Sequence, residues 1–384
     1  ASGEASASLG FAAARLFDEV DPLEIEKNAQ LKEKGIAGGR AELKFWREVE
    51  QKTARLLALP SKDPAREELE SDFFVRYALL DSQANVLCPA TKLWNTGVGV
   101  NMLREAVSLM GGYGITEDCP GYLANKWMDA QLEATYEGPE AVQRRQLSIT
   151  MTNEVFLAQF RAWIKEMRGI ASERPGTGAC TLATAMTMWL WTLEYLQNAK
   201  DANGEKLYAG PRQGVTFPLA DALCWLLASR CQILDVLELE ARGPQDPVAS
   251  EGLEGTVNFL RDLCHVQNAR AAGEVSRICS ELVYGYNRHP AWDTEGHKAC
   301  FLDEELDAYE AIIPGMAASA RDVVTIEGKH PLKAGPCAGC AGSVDFLHLQ
   351  NKLATCLTGT RLAKDRAAEA VARVMIPEAL DYPA

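Results

Sequence analysis

The stretch Leu109-Met-Gly-Gly-Tyr-Gly-Ile-Thr-Glu-Asp118 precedes the stretch Trp127-Met-Asp-Ala-Gln-Leu-Glu-Ala-Thr-Tyr-Glu-Gly-Pro-Glu-Ala-Val-Gln143, and these two segments decide the fold. Apolar residues at Val100, Leu103 and Val107 step by three or four positions, which predicts a helix that runs into the glycines. Alone, the Gly-Gly-x-Gly sequence predicts only the end of a helix, because glycine adopts the left-handed cap conformation at little cost.

Helical patterns continue on both sides of these segments, and Gly- or Pro-rich breaks separate them. A first helix begins at Ser8, and further helices are predicted at 42–58, 66–87, 90–110, 139–168, 180–197, 217–240, 253–285, 302–321 and 344–375. Pro89 predicts a kink or restart between two of them. No run of residues alternates with the two-residue period of a strand, so the sequence predicts an all-α protein.

Composition limits the partners. The chain has 384 residues, of which 47% are hydrophobic and 24% charged, as in globular proteins. Its net charge of −14 disfavours nucleic acid, which needs clustered cations. The apolar stretches 181–196 and 215–237 are too short or too interrupted by charge to span a membrane. The first residues lack the pattern of a signal peptide, so we expect a cytoplasmic protein.

The two quoted segments together resemble the acyl-CoA dehydrogenase family. In that family a long helix ends in Gln-x-x-Gly-Gly-x-Gly-Tyr, and Tyr-Glu-Gly-Thr-x-x-Ile-Gln follows at a similar spacing. The resemblance is specific over 90–146 and loose over 5–60. It implies the family's C-terminal four-helix bundle in residues 1–150 and a second helical domain, a helical extension, in 151–300. Residues 301–384 are predicted separately, as a C-terminal helical tail with a Cys-x-x-Cys loop.

The resemblance also implies a catalytic base. The family oxidises an acyl-CoA thioester to the 2-enoyl-CoA, and in many members the glutamate of Tyr-Glu-Gly removes the α-proton. Here that residue is Glu137. The base must lie within hydrogen-bond reach of the α-carbon, and a dry pocket would raise its pKa toward the working pH. The alternative for Glu137 is a helix N-cap or a surface acid.

The cofactor implied by the resemblance is FAD. The residues expected to contact it are Gly111, Gly112, Gly114, Tyr136, Gly138 and Gln143, with the glycines allowing close backbone approach and Gln143 on the adenine side. No strand-rich region corresponds to the family's middle domain, so we expect a companion subunit that carries the N-terminal and β-domains and shares the FAD. An electron-transferring flavoprotein is a possible electron acceptor, and a hetero-oligomer of fatty acid metabolism is the expected assembly.

Several positions depart from the family pattern. The Arg-x-x-Phe-Gly segment that helps to hold the FAD pyrophosphate has no counterpart, Arg40 being the nearest arginine. Met128 replaces an arginine, and Pro139 replaces a threonine whose hydroxyl can bond the flavin. These changes favour an alternative in which the chain is a non-catalytic helical scaffold of a flavoprotein assembly.

The tail contains Cys337-Ala-Gly-Cys340 in a Gly-rich loop, and two thiolates at this spacing can chelate one ion. The candidate further ligands, His297, Cys300 and Cys356, are irregularly spaced. We therefore expect free or paired thiols rather than an iron–sulfur cluster or metal, with an electron-transfer subunit as a third alternative. The aromatic residues Trp189, Trp191 and Tyr195 are expected in the core.

Overall fold

The computed structural model describes residues 1–36, 38–60, 62–119, 121–201, 204–284, 323–324 and 346–375. Nearly all of these residues are helical, which confirms the prediction of an all-α chain. Apart from the loops between helices, the described residues include a two-residue antiparallel strand pair, in which Lys200 lies opposite Val324 and Asp201 opposite Val323. The predicted helix at 302–321 and the residues His297, Cys300, Cys337 and Cys340 lie outside the described residues.

The helices are numbered here in chain order. They are α1 Ser2–Glu33, α2 Gly39–Ala58, α3 Pro64–Ser71, α4 Phe73–Leu109, α5 Leu123–Glu133, α6 Glu140–Thr150, α7 Glu154–Glu173, α8 Ala179–Asn198, α9 Gln213–Arg242, α10 Leu253–Tyr284, α11 Phe346–Thr355 and α12 Thr360–Ala370. Short 3₁₀ turns lie at Gly111–Ile115, Pro175–Thr177 and Gly243–Gln245, and a π turn lies at Val371–Met375.

The described chain divides into two compact units. The first contains residues 1–169 and 227–257, and the second contains the described parts of 170–226 and 258–384. The functional division at residues 150 and 300 stays a prediction. Within the part of the chain described, no helix has the length and apolar character needed to cross a lipid bilayer.

In the first unit α4 is the central helix, and α1, α2, α3, α5 and α6 all pack against it. Two hydrogen bonds join α4 to the backbone of α1: the Thr91 hydroxyl donates to the Leu9 carbonyl at 3.4 Å, and the Asn95 amide donates to the Ser6 carbonyl at 3.0 Å. Deeper in the unit, Val49 and Phe74 are buried in a cluster that partly buried aromatic rings surround. This packing fixes α4 as the element that positions the loops following it.

Several predicted boundaries were wrong. α1 begins at Ser2 and not at Ser8, and the single helices predicted at 139–168 and 344–375 are each interrupted, between α6 and α7 and between α11 and α12. The predicted helix at 66–87 is interrupted at Asp72, whose carboxylate accepts hydrogen bonds from the backbone nitrogens of Phe74 at 3.0 Å and Val75 at 3.4 Å and so caps α4. No restart occurs at Pro89, which is buried inside α4. The proline removes one backbone donor, and the carbonyl four residues earlier belongs to the exposed Asn85, where water can bond it. Packing on both sides of the proline keeps α4 continuous.

The second unit is built around α8, most of whose side chains are buried. The Trp189 indole donates to the Leu219 carbonyl at 2.9 Å, while the Trp191 ring stacks on Tyr195 and contacts Phe346 of α11. The prediction that Trp189, Trp191 and Tyr195 form core is confirmed, since all three are buried.

Candidate active-site loops

The glycine turn after α4 holds three of the predicted cofactor-binding residues. Gly111 has a φ of +60°, and an added Cβ there or at Gly112 would meet no atom within 4 Å. Gly114 differs, because it is buried and its Cβ would lie 2.5 Å from the Val107 carbonyl oxygen. The turn therefore presents open backbone at Gly111 and Gly112, whereas Gly114 is required by its packing against the end of α4.

The turn is closed by local hydrogen bonds. The Thr116 nitrogen donates to the Tyr113 carbonyl at 3.0 Å, and the Tyr113 hydroxyl donates to the Asp118 carbonyl at 2.7 Å. Close by in sequence, the Cys119 side chain is buried. These bonds give the turn a defined shape.

The segment Tyr136–Pro139, called here the Glu137 loop, connects α5 to α6. Glu137 has a φ of +48° and Gly138 a φ of +97°. A non-glycine residue in the left-handed region costs on the order of 1–3 kcal/mol and is concentrated at functional sites. The side-chain nitrogen of Gln143 donates to the Gly138 carbonyl at 3.1 Å, which ties the loop to the first turn of α6.

The other end of the Glu137 loop is attached to α4. The Lys92 ammonium donates to the Glu133 carbonyl at 2.6 Å and lies 4.6 Å from the centre of the Tyr136 ring. The Tyr136 hydroxyl donates to the Glu133 carboxylate at 2.7 Å. This hydrogen bond raises the pKa of Tyr136. Lys92 thus connects the central helix to the residues immediately before Glu137.

The Glu137 side chain is exposed. Within the described part of the chain, its carboxylate forms no hydrogen bond or ion pair, whereas the nearby Glu140 pairs with Arg144 at 3.0 Å. Glu137 therefore remains an open acceptor. It lacks the dry surroundings that general-base catalysis on a thioester would need, so a second surface would have to cover it.

Exposed apolar side chains surround this region in the sequence. Ile115, Met128 and Leu132 each expose more than 60% of their surface, and Leu109 exposes 87%. Further exposed apolar residues of the same segment are Met110, Tyr113, Tyr122, Tyr136, Val142 and Ile149. Where such side chains adjoin one another, the apolar patch they form is typical of a surface that contacts a partner.

A second polar site lies where α1 and α4 meet. The Tyr77 hydroxyl donates to the Glu24 carboxylate at 2.5 Å and lies 3.4 Å from the Asp81 carboxylate, and the Lys27 ammonium donates to Glu24 at 2.5 Å. Hydrogen bonding to Lys27 and Tyr77 lowers the pKa of Glu24. Burial and the Glu24 charge raise the pKa of Asp81, and burial raises that of Tyr77.

Lys27, Tyr77 and Asp81 of this network line a cavity of about 480 Å³ whose wall also includes Trp46, Glu50 and Asn153. The network was not predicted from the sequence. Tyr77 and Glu24 are separated by 53 positions, and each fits an ordinary amphipathic helix, so no local pattern marks them. Within the described residues, no group of three or more His, Cys, Asp or Glu side chains could hold a metal ion.

The comparisons with known proteins agree with the segments that decide the fold. Residues 74–151 match the family model described as acyl-CoA dehydrogenase, C-terminal domain. No curated protein and no solved structure matches the chain. The matched range contains α4, the glycine turn, α5, the Glu137 loop and α6. Residues 74–151 are therefore similar to the C-terminal helical domain of the acyl-CoA dehydrogenase family.

Proposed function

We propose that this chain is a subunit or half of a flavin-dependent acyl-CoA dehydrogenase, in which Glu137 is the base and a companion chain completes the FAD site. One observation carries the proposal. Inside the family-matched segment, the Glu137 loop is anchored by Lys92 on one side and Gln143 on the other, and it presents an exposed carboxylate without a hydrogen-bond partner among the described residues.

The chemistry assigned to the chain is one proton transfer. Glu137 accepts the α-proton of the acyl-CoA thioester, whose acidity rises when its carbonyl oxygen accepts hydrogen bonds. The bound FAD would supply the oxidation by accepting a hydride from the β-carbon. Glu137 and Gly138 have left-handed backbone, and the Glu137 carboxylate is exposed, so that a substrate on another surface could reach it.

The residues present fit a flavin in part. Gly111 and Gly112 offer backbone with open space above it, as close approach of a planar cofactor requires. Tyr136 begins the Glu137 loop, and Gln143 contacts the loop from the first turn of α6. Gly114 is buried and Gly138 is bonded to Gln143, so these two glycines would act by shaping the two loops. The missing hydroxyl at Pro139 leaves one flavin contact to the companion chain.

The exposure of Glu137 and of nearby apolar side chains supports the proposal of a companion chain. Glu137 needs to be desolvated to act as a base, and the apolar side chains of residues 109–149 need a cover. A chain with the family's N-terminal and β-domains would provide both, with the acyl-CoA bound between the two chains. Transfer of electrons to an electron-transferring flavoprotein, a cytoplasmic location and a place in fatty acid metabolism belong to the same proposal.

The test uses the chain in its native assembly. The tagged chain is purified from its source together with associated chains, and the flavin absorbance and the identities of the chains are recorded. Under anaerobic conditions, acyl-CoA should bleach the flavin. In Glu137→Gln the bleaching rate should fall by about 10²–10⁴-fold with the flavin content unchanged, because only the base is removed.

Glu67→Gln is the matched control, since Glu67 is an exposed acid on α3. It should bleach at the wild-type rate. A colourless preparation without a β-domain partner would refute the proposal. Flavin bleaching that is equally fast in Glu137→Gln would retain the assembly but remove Glu137 from the chemistry.

The second candidate is a helical scaffold subunit that keeps the fold without catalysis. Met128 favours it, because 68% of its surface is exposed where the family has an arginine. This alternative predicts a flavin-containing assembly in which the companion chain supplies every catalytic group. An electron-transfer subunit with a cluster at Cys337 and Cys340 is the third candidate and would show absorbance that acyl-CoA does not bleach.

A further inference from the structure

The second unit contains two neighbouring thiols outside the family-matched segment. Cys180 is exposed in the first turn of α8, and Cys356 is half-buried directly after α11. The two side chains are within hydrogen-bonding reach of each other. A hydrogen bond also joins α8 to this position, since the Thr181 hydroxyl donates to the Cys356 carbonyl at 3.2 Å.

Helix packing holds this pair in place. α11 lies along α8, and the Phe346 ring of α11 is 5.1 Å from the ring of Trp191. The Cys356 nitrogen donates to the carbonyls of Lys352 at 3.0 Å and Leu353 at 3.1 Å, which fixes the residue at the helix end. A disulfide requires two cysteines that are close in the folded chain, and the contact between α8 and α11 brings Cys180 and Cys356 together.

The other cysteines in the described residues are less accessible to a reagent in solution than Cys180. Cys119, Cys224, Cys231, Cys264 and Cys279 are buried. Burial raises the pKa of Cys231 to about 11 and that of Cys279 to about 12, which keeps both as unreactive thiols. Cys88 is half-buried in the first unit. Among the described cysteines, the pair at the α8–α11 contact combines solvent access with a neighbouring sulfur.

We propose that Cys180 and Cys356 form a reversible disulfide by exchange with a low-molecular-weight disulfide, linking the start of α8 to the end of α11. The Cys180 thiolate attacks one sulfur of the reagent, forming a mixed disulfide and releasing one small thiol. The Cys356 thiolate then attacks the Cys180 sulfur and releases the second small thiol. The reagent gains two electrons and the two protons that the cysteines lose.

The order of attack follows from exposure. Cys180 meets the reagent because it is the exposed thiol. The pKa of Cys356 is raised by burial and by the neighbouring Cys180, so Cys356 reacts poorly with a reagent in solution. It reacts with the mixed disulfide because that sulfur is held beside it. The link would close a covalent loop through the second unit that opens again under reducing conditions.

Peptide mapping tests this directly. The full chain in its native assembly is treated with oxidised glutathione, free thiols are alkylated, and the protein is digested with trypsin without reduction. Cys180 lies alone in the peptide 169–200 and Cys356 alone in 353–361, whereas Cys337 and Cys340 share 334–352. We expect 169–200 linked to 353–361 as the main new disulfide, and dithiothreitol should release it.

Variants check the two steps separately. In Cys356→Ser the glutathione adduct on Cys180 should accumulate, because nothing resolves it. In Cys180→Ser Cys356 should remain mostly unmodified, and Cys88→Ser should give the wild-type cross-link. The proposal is overturned if wild-type protein carries separate glutathione adducts on both residues, or if 353–361 is linked to 334–352. The wild-type map decides even if a variant does not fold.

Discussion

The side-chain nitrogen of Gln143 donates to the carbonyl oxygen of Gly138 at 3.1 Å, and a Cβ on Gly138 would lie 2.1 Å from that same nitrogen. The hydrogen bond from Gln143 therefore requires glycine at position 138. Any side chain at position 138 has to displace Gln143 as well as adopt a positive φ. The shape of the Glu137 loop depends on both residues.

We expect Gly138→Ala to be more destabilising than Gly111→Ala. Both positions have a positive φ, but only Gly138 has an atom in the way. The additional loss should be about 0.5–1.5 kcal/mol, the usual net value of one hydrogen bond. Urea unfolding monitored by circular dichroism measures it. In a Gln143→Ala background the difference between the two alanine variants should vanish, and a difference that persists would contradict this explanation.

Gly114→Ala should destabilise the glycine turn, because its Cβ would lie 2.5 Å from the backbone oxygen of Val107. A backbone atom cannot move aside as a side chain can, so the expected cost is about 1–3 kcal/mol, as for other overpacked sites. Gly112→Ala is the control and should change stability little, because the new methyl group meets open space. The melting temperatures of Gly114→Ala and Gly112→Ala, measured by thermal unfolding, are compared. Equal melting temperatures for the two variants would show that the close contact is unimportant.

Asp81→Asn should stabilise the chain at neutral pH. The folded state raises the pKa of Asp81, so the folded protein binds this proton more tightly than the unfolded chain does. The charged carboxylate therefore destabilises the fold above its folded pKa, and that effect disappears as the pH falls below the unfolded value. The difference in the free energy of unfolding between Asp81→Asn and the wild type should therefore shrink as the pH is lowered through the acidic range, as unfolding experiments at a series of pH values would measure. Asp18→Asn, at an exposed acid of α1, is the matched control.

Trp189 and Trp191 offer a matched pair on α8. Both are fully buried, but the Trp189 indole nitrogen donates to the Leu219 carbonyl at 2.9 Å, whereas that of Trp191 has no hydrogen-bond partner among the described residues. Trp189→Phe should lower the free energy of unfolding by about 0.5–1.5 kcal/mol more than Trp191→Phe, because it alone removes a buried hydrogen bond. Urea denaturation would show this, and a larger loss in Trp191→Phe would reverse the assignment.

Local signals were predictable from the sequence, and long-range ones were not. The glycines predicted the end of α4 correctly, because a helix stop depends on the residues at that point. The restart predicted at Pro89 does not occur, because the free-energy cost of one proline inside α4 is smaller than the stabilisation from the packing of α1 on α4. The Asp72 cap was overlooked inside a helical pattern that continues through it. The network of Glu24, Lys27, Tyr77 and Asp81 depends on contacts between distant helices that no spacing reveals.

The candidate site shows the same division. The motif located Glu137 and Gly138, but their positive φ values and the anchoring contact from Lys92 are properties of the folded chain. Under the proposed function, the action of these residues on acyl-CoA depends on a companion surface that covers Glu137. The assigned roles of Glu137, Tyr136 and Gln143 stay predictions.

The contact between Lys92 and the Glu133 carbonyl limits how this chain can be divided for experiment. A fragment that begins after α4 would keep the complete Tyr-Glu-Gly motif yet lose the ammonium group that holds the segment before it. Such a peptide would contain the proposed base in an unconstrained chain. Excision boundaries chosen from the motif alone would therefore produce an inactive peptide even if Glu137 is the base, and α4 has to be retained in any minimal fragment.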